Sequence, residues 1–201
     1  MPKQTNKFTL PRGYLSPTQL LLWEKDKREY KRVYFEGGVR EDSAYTLLGK
    51  KVHKAIELDV RPKEIMLEHI KFLVPRYKFK ERELKAEYEG IKLLGVVDGM
   101  NPPPHSVIAD YKTGKKYTQS MVDSNAQLSF YALLFWLINK KLPRELHIVW
   151  IPTEMNDGVL SVTGDVQIFR TVRTLTDLAL IGKKIKNAAE EISLEFKREI
   201  L

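Results

Sequence analysis

The sequence predicts a mixed fold of the α/β (α+β) class, in which a central mixed β-sheet is flanked by helices. Three observations lead to this prediction. Helix and strand patterns follow the order α-α-α-β-β-β-α-β-β-α, a strand–turn–strand unit lies at the centre, and a long charged helical pattern closes the chain. With 201 residues, 43% of them hydrophobic, the chain can bury a core. We therefore expect one domain over residues 15–201, preceded by a flexible basic arm over residues 1–14.

Three helices are predicted in the first third of the chain. A Ser-Pro-Thr-Gln stretch starting at Ser16 is a typical helix start, and helical spacing continues to about residue 34. Further helices are predicted over residues 45–60 and 62–72, because apolar residues recur there at intervals of three and four. His53 lies on the second helix, where an isolated histidine is more often structural or exposed than a ligand.

The centre of the chain has the pattern of three strands. Residues 77–88 alternate between charged and apolar side chains, and Glu89-Gly90 turns the chain into an apolar strand that ends on Asp98. The proline-rich residues 101–104 cannot continue a ladder of hydrogen bonds and indicate a connection. A third strand follows over residues 107–112.

The remaining chain predicts a helix, two strands and a closing helix. The helix covers residues 120–140, and the strands cover residues 146–151 and 160–169 on either side of a turn at residues 156–158. A Gly-Asp pair inside the second strand could interrupt it with a turn or bulge. The closing helix is predicted over residues 174–198.

Charge and cysteine content limit the classes of function. The net charge of +8 and the isoelectric point near 9.4 fit a polyanionic partner such as nucleic acid, although a basic surface that only aids solubility fits equally well. Because cysteine is absent, disulfides, thiolate zinc sites and iron–sulfur clusters are excluded. No apolar run is long enough for a membrane span, and the first residues have no signal-peptide core. We expect a cytoplasmic protein with no membrane partner.

Two carboxylates and a lysine are expected at neighbouring strand ends. Side chains alternate along a strand, so Asp110 and Lys112 should point the same way while Tyr111 points the other. With Asp98 beside them, the pocket would offer hard oxygen ligands and an ammonium group, which suit Mg²⁺ against a phosphate. Either aspartate alone would more often cap a strand end or pair with a lysine, so the prediction depends on the three residues together.

The same residues resemble a known family. Gly-x-x-Asp at residues 95–98, followed by Asp-Tyr-Lys-Thr-Gly at residues 110–114, resembles the core of the PD-(D/E)XK nuclease superfamily, whose fold is restriction-endonuclease-like. The second motif resembles the RecB-type branch, which includes single-domain exonucleases of phage and CRISPR-associated systems. Gly-x-x-x-His at residues 49–53 and Gln-x-x-x-Tyr at residues 127–131 resemble its flanking motifs. The resemblance spans roughly residues 15–150, and it departs from relatives that carry a four-cysteine iron–sulfur cluster.

The resemblance implies roles for these residues. Asp98 and Asp110 would be the main ligands of Mg²⁺ or Mn²⁺, with His53 and the Tyr111 carbonyl as further ligands. Imidazole suits transition metals, so a histidine ligand favours Mn²⁺. Lys112 would orient or help to deprotonate the attacking water, or stabilise charge on the phosphate.

Other carboxylates and a helix complete the implied site. Gln127 and Tyr131, on one face of their helix, would position the DNA or support the metal site. Glu83 and Glu87 are candidates for one more carboxylate, with Glu83 at the better spacing, although both could belong to a solvated strand face.

The function expected from this resemblance is a metal-dependent DNA nuclease, favouring an exonuclease on single strands or DNA ends. One alternative is a nucleic-acid-binding subunit with a weak site that recruits partners in recombination, replication or CRISPR adaptation. Another is a structure- or sequence-specific endonuclease, for which no additional recognition domain is evident. A prokaryotic or phage origin fits the branch, and no motif indicates the oligomeric state.

Overall fold

The computed structural model describes residues 8–58, 62–114 and 116–200. Within them the predicted mixed α+β class is confirmed: a sheet of six strands is flanked by helices. The helices are α1 Pro17–Lys25, α2 Lys27–Tyr34, α3 Ala44–Glu57, α4 Ile65–Leu73, α5 Gln119–Asp123, α6 Ala126–Asn139 and α7 Leu175–Ile200. The strands are β1 Phe79–Tyr88, β2 Ile91–Asn101, β3 Val107–Gly114, β4 Glu145–Asn156, β5 Val159–Val162 and β6 Gln167–Thr171.

The sheet is antiparallel except at its centre. β1, β2 and β3 form an antiparallel meander, β3 and β4 are parallel, and β5 and β6 both pair with β4 in the antiparallel direction. A parallel pair needs a crossover connection, and α5 and α6 provide it. The strand order β1-β2-β3-β4-β5 places β3 in the middle of the sheet. This strand carries Asp110 and Lys112.

Both faces of the sheet are covered by helices. Alternate residues of β3 and β4 belong to two separate apolar clusters, as expected for a sheet buried on both sides. The first cluster includes Trp23 of α1, Phe130 of α6 and Ile185 of α7. The second includes Val52 of α3 and Ile70 of α4. β3 is thus covered by α6 on one face of the sheet and by α3 on the other.

Local side-chain chemistry explains where two predicted helices divide. The helix expected over residues 16–34 breaks at Asp26, whose carboxylate accepts a hydrogen bond from the Glu29 N–H (2.9 Å) and caps α2. The helix expected over residues 120–140 breaks at Asn125, which caps α6 in the same way through the Leu128 N–H (2.9 Å).

Turns and termini bear on three of the predictions. Glu89 and Gly90 both have positive φ, which fits the two-residue hairpin turn predicted between β1 and β2. The strand predicted over residues 160–169 is interrupted, with Gly164 at φ 91° between β5 and β6. Of the predicted arm, residues 1–7 lie outside the described residues, while residues 8–14 differ from a flexible arm because Phe8 and Leu10 are buried in the first cluster. No helix in the described residues is both long and apolar enough to cross a membrane.

Candidate active site

β1 and β2 are irregular where Asp98 lies. Val97 and Met100 both belong to the first apolar cluster although they are three residues apart, so the alternation of side chains is broken between them. Opposite Asp98, between the pairs at residues 80↔99 and 82↔97, Glu81 has φ 46°. This break coincides with a direct contact between β2 and the β3 main chain: the Asp98 Oδ2 atom accepts a hydrogen bond from the Tyr111 N–H at 2.5 Å.

Asp110 and Lys112 lie on the same side of β3, as the sequence predicts. The Lys112 Nζ atom is 2.6 Å from the Asp110 Oδ2 atom, and the Asp110 side chain is almost fully buried. Burial raises the pKa of Asp110, although the positive charge of Lys112 opposes that effect. Burial alone would lower the pKa of Lys112, but the adjacent Asp110 charge raises it above its usual value. In the metal-free protein, this arrangement keeps Lys112 as an ammonium.

His53 reaches the site from α3. Its Nε2 atom lies 3.1 Å from the Tyr111 carbonyl oxygen, and its Nδ1 atom lies 3.4 Å from the Asp98 Oδ1 atom. Both ring nitrogens therefore face acceptors, which favours the protonated ring. Burial lowers the pKa of His53, but the hydrogen bond and charge of Asp98 outweigh that effect and raise it. A Cβ atom at Gly49 would lie only 3.2 Å from the Thr113 Oγ1 atom, so glycine there lets α3 approach β3 closely.

Glu81 is a site carboxylate that the sequence reasoning missed. Its ligand oxygen, the His53 ring nitrogen and an Asp98 oxygen all lie within 4.8 Å of one another. Burial raises the pKa of Glu81, and the negative charge of Asp98 adds to the effect. Glu83 is instead exposed and paired with Lys85 (2.6 Å), and Glu87 is exposed. The predicted two-residue turn at residues 89–90 already fixes the register that puts Glu81 opposite Asp98.

Gln127 and Tyr131 form a hydrogen-bonded network from α6. The Gln127 Nε2 atom donates to the Asp110 Oδ1 atom at 2.7 Å and to the Tyr131 hydroxyl at 2.9 Å. The Tyr131 hydroxyl donates in turn to the Val96 carbonyl at 2.7 Å. Burial raises the pKa of Tyr131, so its hydroxyl stays protonated. This network ties the Asp110 carboxylate to β2 through the helix.

Arg173 supports the start of α6 from the end of β6. Its buried guanidinium donates five hydrogen bonds of 2.7–3.2 Å, of which two are to the Val122 and Asn125 carbonyls and one is to the Ser129 hydroxyl. Asn125 also caps α6, two residues before Gln127. The guanidinium therefore fixes the connection between α5 and α6, and with it the position from which Gln127 reaches the site.

The donor set fits a divalent cation. Among the described residues, the Asp110 Oδ2 atom is a buried acceptor without a hydrogen bond of normal geometry, despite its close contact with Lys112. His53, Asp98 and Glu81 lie together, and the Tyr111 carbonyl faces the His53 ring. When the His53 ring is neutral and its Nε2 atom carries no proton, this atom and the Tyr111 carbonyl oxygen are both acceptors. Two such acceptors can bind one metal ion in place of the shared proton.

The family of the chain follows from its sequence match. The family model described as the PD-(D/E)XK nuclease superfamily matches residues 61–199, more than half of the chain. The chain belongs to the PD-(D/E)XK nuclease superfamily. The matched region includes Glu81, Asp98, Asp110 and Lys112, while His53 precedes it. PD-(D/E)XK nucleases use divalent metal ions, in agreement with the donor set of the site. No curated protein is significantly similar in sequence to this chain.

Solved structures show the same fold. A candidate exonuclease from Eubacterium rectale has a TM-score of 0.56 at 14% identity, covering 100% of this chain and 86% of its own. An alkaline exonuclease from Laribacter hongkongensis has a TM-score of 0.55 at 10% identity, covering 92% of this chain and 91% of its own. A phage-related exonuclease from Haemophilus somnus 129PT has a TM-score of 0.55 at 14% identity, covering 87% and 82%. At these identities the likeness establishes the PD-(D/E)XK fold.

Proposed function

We propose that this PD-(D/E)XK protein is a metal-dependent deoxyribonuclease that hydrolyses phosphodiester bonds as an exonuclease on single strands or DNA ends. The observation that carries the proposal is that the side chains of Asp98, Asp110, Lys112 and His53 converge at β3. A structural role for either aspartate alone would not require a second buried carboxylate, a half-buried lysine and a histidine that faces two acceptors.

Asp98, Asp110, His53 and the Tyr111 carbonyl would hold a Mg²⁺ or Mn²⁺ ion. Glu81 lies close enough to take part directly or through a water, which gives this site a further carboxylate. A cation held there supplies Lewis-acid chemistry, polarising the phosphate and lowering the pKa of a water molecule. His53 has to lose its proton to become a ligand, so cation binding and deprotonation of this ring are linked.

Lys112 would act on the phosphate and the attacking water. Its pKa is raised by Asp110, so it enters the reaction as a cation that can stabilise the negative charge of the transition state. With Asp110 serving as a cation ligand, its carboxylate would hold Lys112 less tightly than in the 2.6 Å contact, and the Lys112 ammonium could turn towards substrate. Only then could its pKa fall far enough for it to help deprotonate the water.

Gln127 and Tyr131 would keep the Asp110 carboxylate in place. The Gln127 amide fixes one carboxylate oxygen, so the other faces Lys112. The protonated Tyr131 hydroxyl links this amide to the β2 main chain. Their role in this proposal is positioning, and the exposed part of Gln127 would also contact a DNA strand.

The choice of exonuclease and of DNA is supported by the structural neighbours. Three solved proteins with this fold are named as exonucleases, and the Laribacter hongkongensis enzyme has been solved in complex with dAMP. The basic net charge is compatible with a nucleic-acid substrate. We extend the proposal to one catalytic domain acting inside the cell, with a recombination, replication or CRISPR-adaptation protein as a partner.

The proposal is tested by digestion of end-labelled DNA. Linear single strands, linear duplexes and closed single-stranded circles are incubated with Mn²⁺, Mg²⁺ or EDTA. We expect cleavage of the linear substrates only with metal, and the label pattern gives the polarity. Asp110→Ala and Lys112→Ala should abolish cleavage while the circular dichroism spectrum is retained. The exposed residues Asp165 and Lys183 provide matched alanine controls that should cleave normally.

Three outcomes would contradict parts of the proposal. Full activity in both site variants would refute the assignment of the site. Cleavage of closed circles at the rate of linear strands would refute the exonuclease. Salt-sensitive DNA binding without cleavage under any metal would favour a recruitment subunit.

A further inference from the structure

A second concave surface lies beside the active site, on the α4 side of the sheet. It is a cleft of about 670 Å³ between the end of α3, the helix α4 and the extended segment that leads into β1. Tyr111 lines it, and the ring of this residue also packs edge-on against His53 at a centroid distance of 5.7 Å. The cleft therefore adjoins the site across the Tyr111–His53 contact.

The cleft has the charge of a polyanion site. Four basic side chains line it against one acidic side chain, Glu68; the basic ones are Lys71, Arg76, Lys78 and Lys80. Lys71 and Lys80 donate to main-chain carbonyls at the end of α3, those of Leu58 and Glu57. These two lysines hold the wall of the cleft while adding their charge to it. The contacts with a ligand would then come from Arg76 and Lys78.

Arg76 and Lys78 are presented together by the segment before β1. Both are exposed, and the buried Tyr77 between them packs against Gly99 and donates or accepts a hydrogen bond at His147 (3.0 Å). In an extended chain, residues two apart point to the same side. The two cations are therefore held on one side of a segment that is anchored by a buried ring.

An aromatic ring faces the same cleft. Phe72 lines the cleft and is 81% exposed, although α4 has a buried face formed by Leu67 and Ile70. An exposed phenylalanine beside a row of cations offers a flat surface on which an unpaired base can stack. In a duplex the faces of the bases are covered by their neighbours, so this combination suits a single strand.

We propose that the cleft binds the single-stranded segment of a DNA substrate beside the scissile phosphate, with Phe72 stacking on a base and Arg76 and Lys78 contacting phosphates. This inference rests on the proposed nuclease function and adds the requirement for an unpaired segment. It makes Phe72, Arg76 and Lys78 determinants of strand preference that act without touching the reacting atoms.

The test measures binding and cleavage separately in the full chain. Binding of a fluorescein-labelled oligothymidylate is followed by anisotropy in EDTA over a range of salt concentrations, and KM and kcat are measured on the same oligonucleotide with Mn²⁺. The variants are Phe72→Ala, Phe72→Trp and the double variant Arg76→Glu/Lys78→Glu. Ile65→Ala is the apolar control, because Ile65 is 85% exposed on the same helix but outside the cleft. Lys141→Glu/Lys183→Glu is the charge control at exposed positions elsewhere.

Each variant has a defined expected result. Phe72→Ala should weaken single-strand binding and raise KM roughly tenfold, since stacking contributes that order of affinity per base. Phe72→Trp should restore both values, and a blunt duplex should be affected much less. The Arg76→Glu/Lys78→Glu variant should lower the slope of log affinity against log salt by about 1.4, the value for two lost phosphate contacts on a single strand. The kcat should change little in all of them, and both controls should resemble the wild type.

The outcomes separate this inference from the proposed function. If the wild type neither binds nor cleaves DNA, the nuclease proposal fails. If the wild type cleaves but the cleft variants keep its KM and dissociation constant, only the role of the cleft is refuted. An equal loss with Ile65→Ala, or an equal loss on blunt duplex, would also refute it, because the effect would then come from α4 as a whole or from unspecific charge.

Discussion

Replacing Gln127 by methionine tests how far the network from α6 controls the candidate metal site. The two side chains have similar volume, but methionine cannot donate to the Asp110 Oδ1 atom, which Gln127 contacts at 2.7 Å. Asp110 is almost fully buried, so solvent has little access to replace the lost donor. A hydrogen bond to a charged group contributes about 1.5–3 kcal/mol. If the charged carboxylate is the reactive form, kcat/KM should fall about 10-fold to 150-fold.

The assay is metal-dependent cleavage of a labelled single strand, with the metal concentration varied at each substrate concentration. Gln127→Met should raise the metal concentration needed for half-maximal activity, because the unsupported carboxylate is harder to keep charged. Gln119→Met is the matched control, since Gln119 is an exposed glutamine that donates to Asp123 and to the Arg170 carbonyl outside the site. Urea denaturation of both variants shows whether any loss comes from unfolding.

The reasoning would be refuted by a Gln127→Met variant that keeps the wild-type kcat/KM and metal dependence. A second check combines it with Tyr131→Phe, which removes the hydroxyl that links Gln127 to the Val96 carbonyl. Residues in one network are expected to couple by about 0.5–3 kcal/mol, so the double variant should lose less than the two single losses together. Strict additivity would mean that the two side chains act independently.

Three further predictions follow from the same region. Glu81→Gln should weaken Mn²⁺ binding, measured by calorimetry, whereas Glu83→Gln should not, because Glu83 pairs with Lys85 away from the His53 cluster. Because the pKa of His53 is raised in the folded protein, its protonated ring stabilises the protein in the absence of metal. This stabilisation is complete below the unfolded-state pKa of about 6.5 and is lost as the pH rises through the folded-state pKa. Mn²⁺ needs the neutral ring, so the gain in melting temperature on adding Mn²⁺ should grow with pH, and a pH-independent gain would exclude His53 as a ligand. Gly99→Ala should cost about 1–3 kcal/mol of unfolding free energy in urea, since the new Cβ atom would lie 2.3 Å from the Tyr77 ring, and an unchanged midpoint would contradict that packing.

Local patterns predicted most of the fold because they depend on neighbouring residues. The turn at residues 89–90, the third strand and the long final helix follow from glycine chemistry and apolar spacing. The break at Asp26 was missed because a polar residue on a charged helix looks the same whether it continues the helix or caps the next one. The caps become visible only when the side chain is seen to bond back to the main chain.

The site was predicted unevenly for a similar reason. Asp110 and Lys112 are two residues apart, so strand periodicity alone brings them together. Glu81 depends on a register across two strands, and the positive φ at this residue and the broken alternation near Asp98 are tertiary effects. Arg173 could not be found from any motif. Its role depends on hydrogen bonds to carbonyl groups that come together only after the chain has folded.

The position of Arg173 has a consequence for how the protein is made. Chains are synthesised from the N-terminus at about 5–20 residues per second and fold as they emerge. Every residue of the nuclease motifs leaves the ribosome before Arg173, and α7 begins two residues after it. On a ribosome-bound chain, all of the motif residues can therefore have emerged while the connection before α6, which positions Gln127, still lacks its hydrogen bonds from Arg173. We expect Gln127 to be held against Asp110 only after Arg173 has bonded to the Val122 and Asn125 carbonyls.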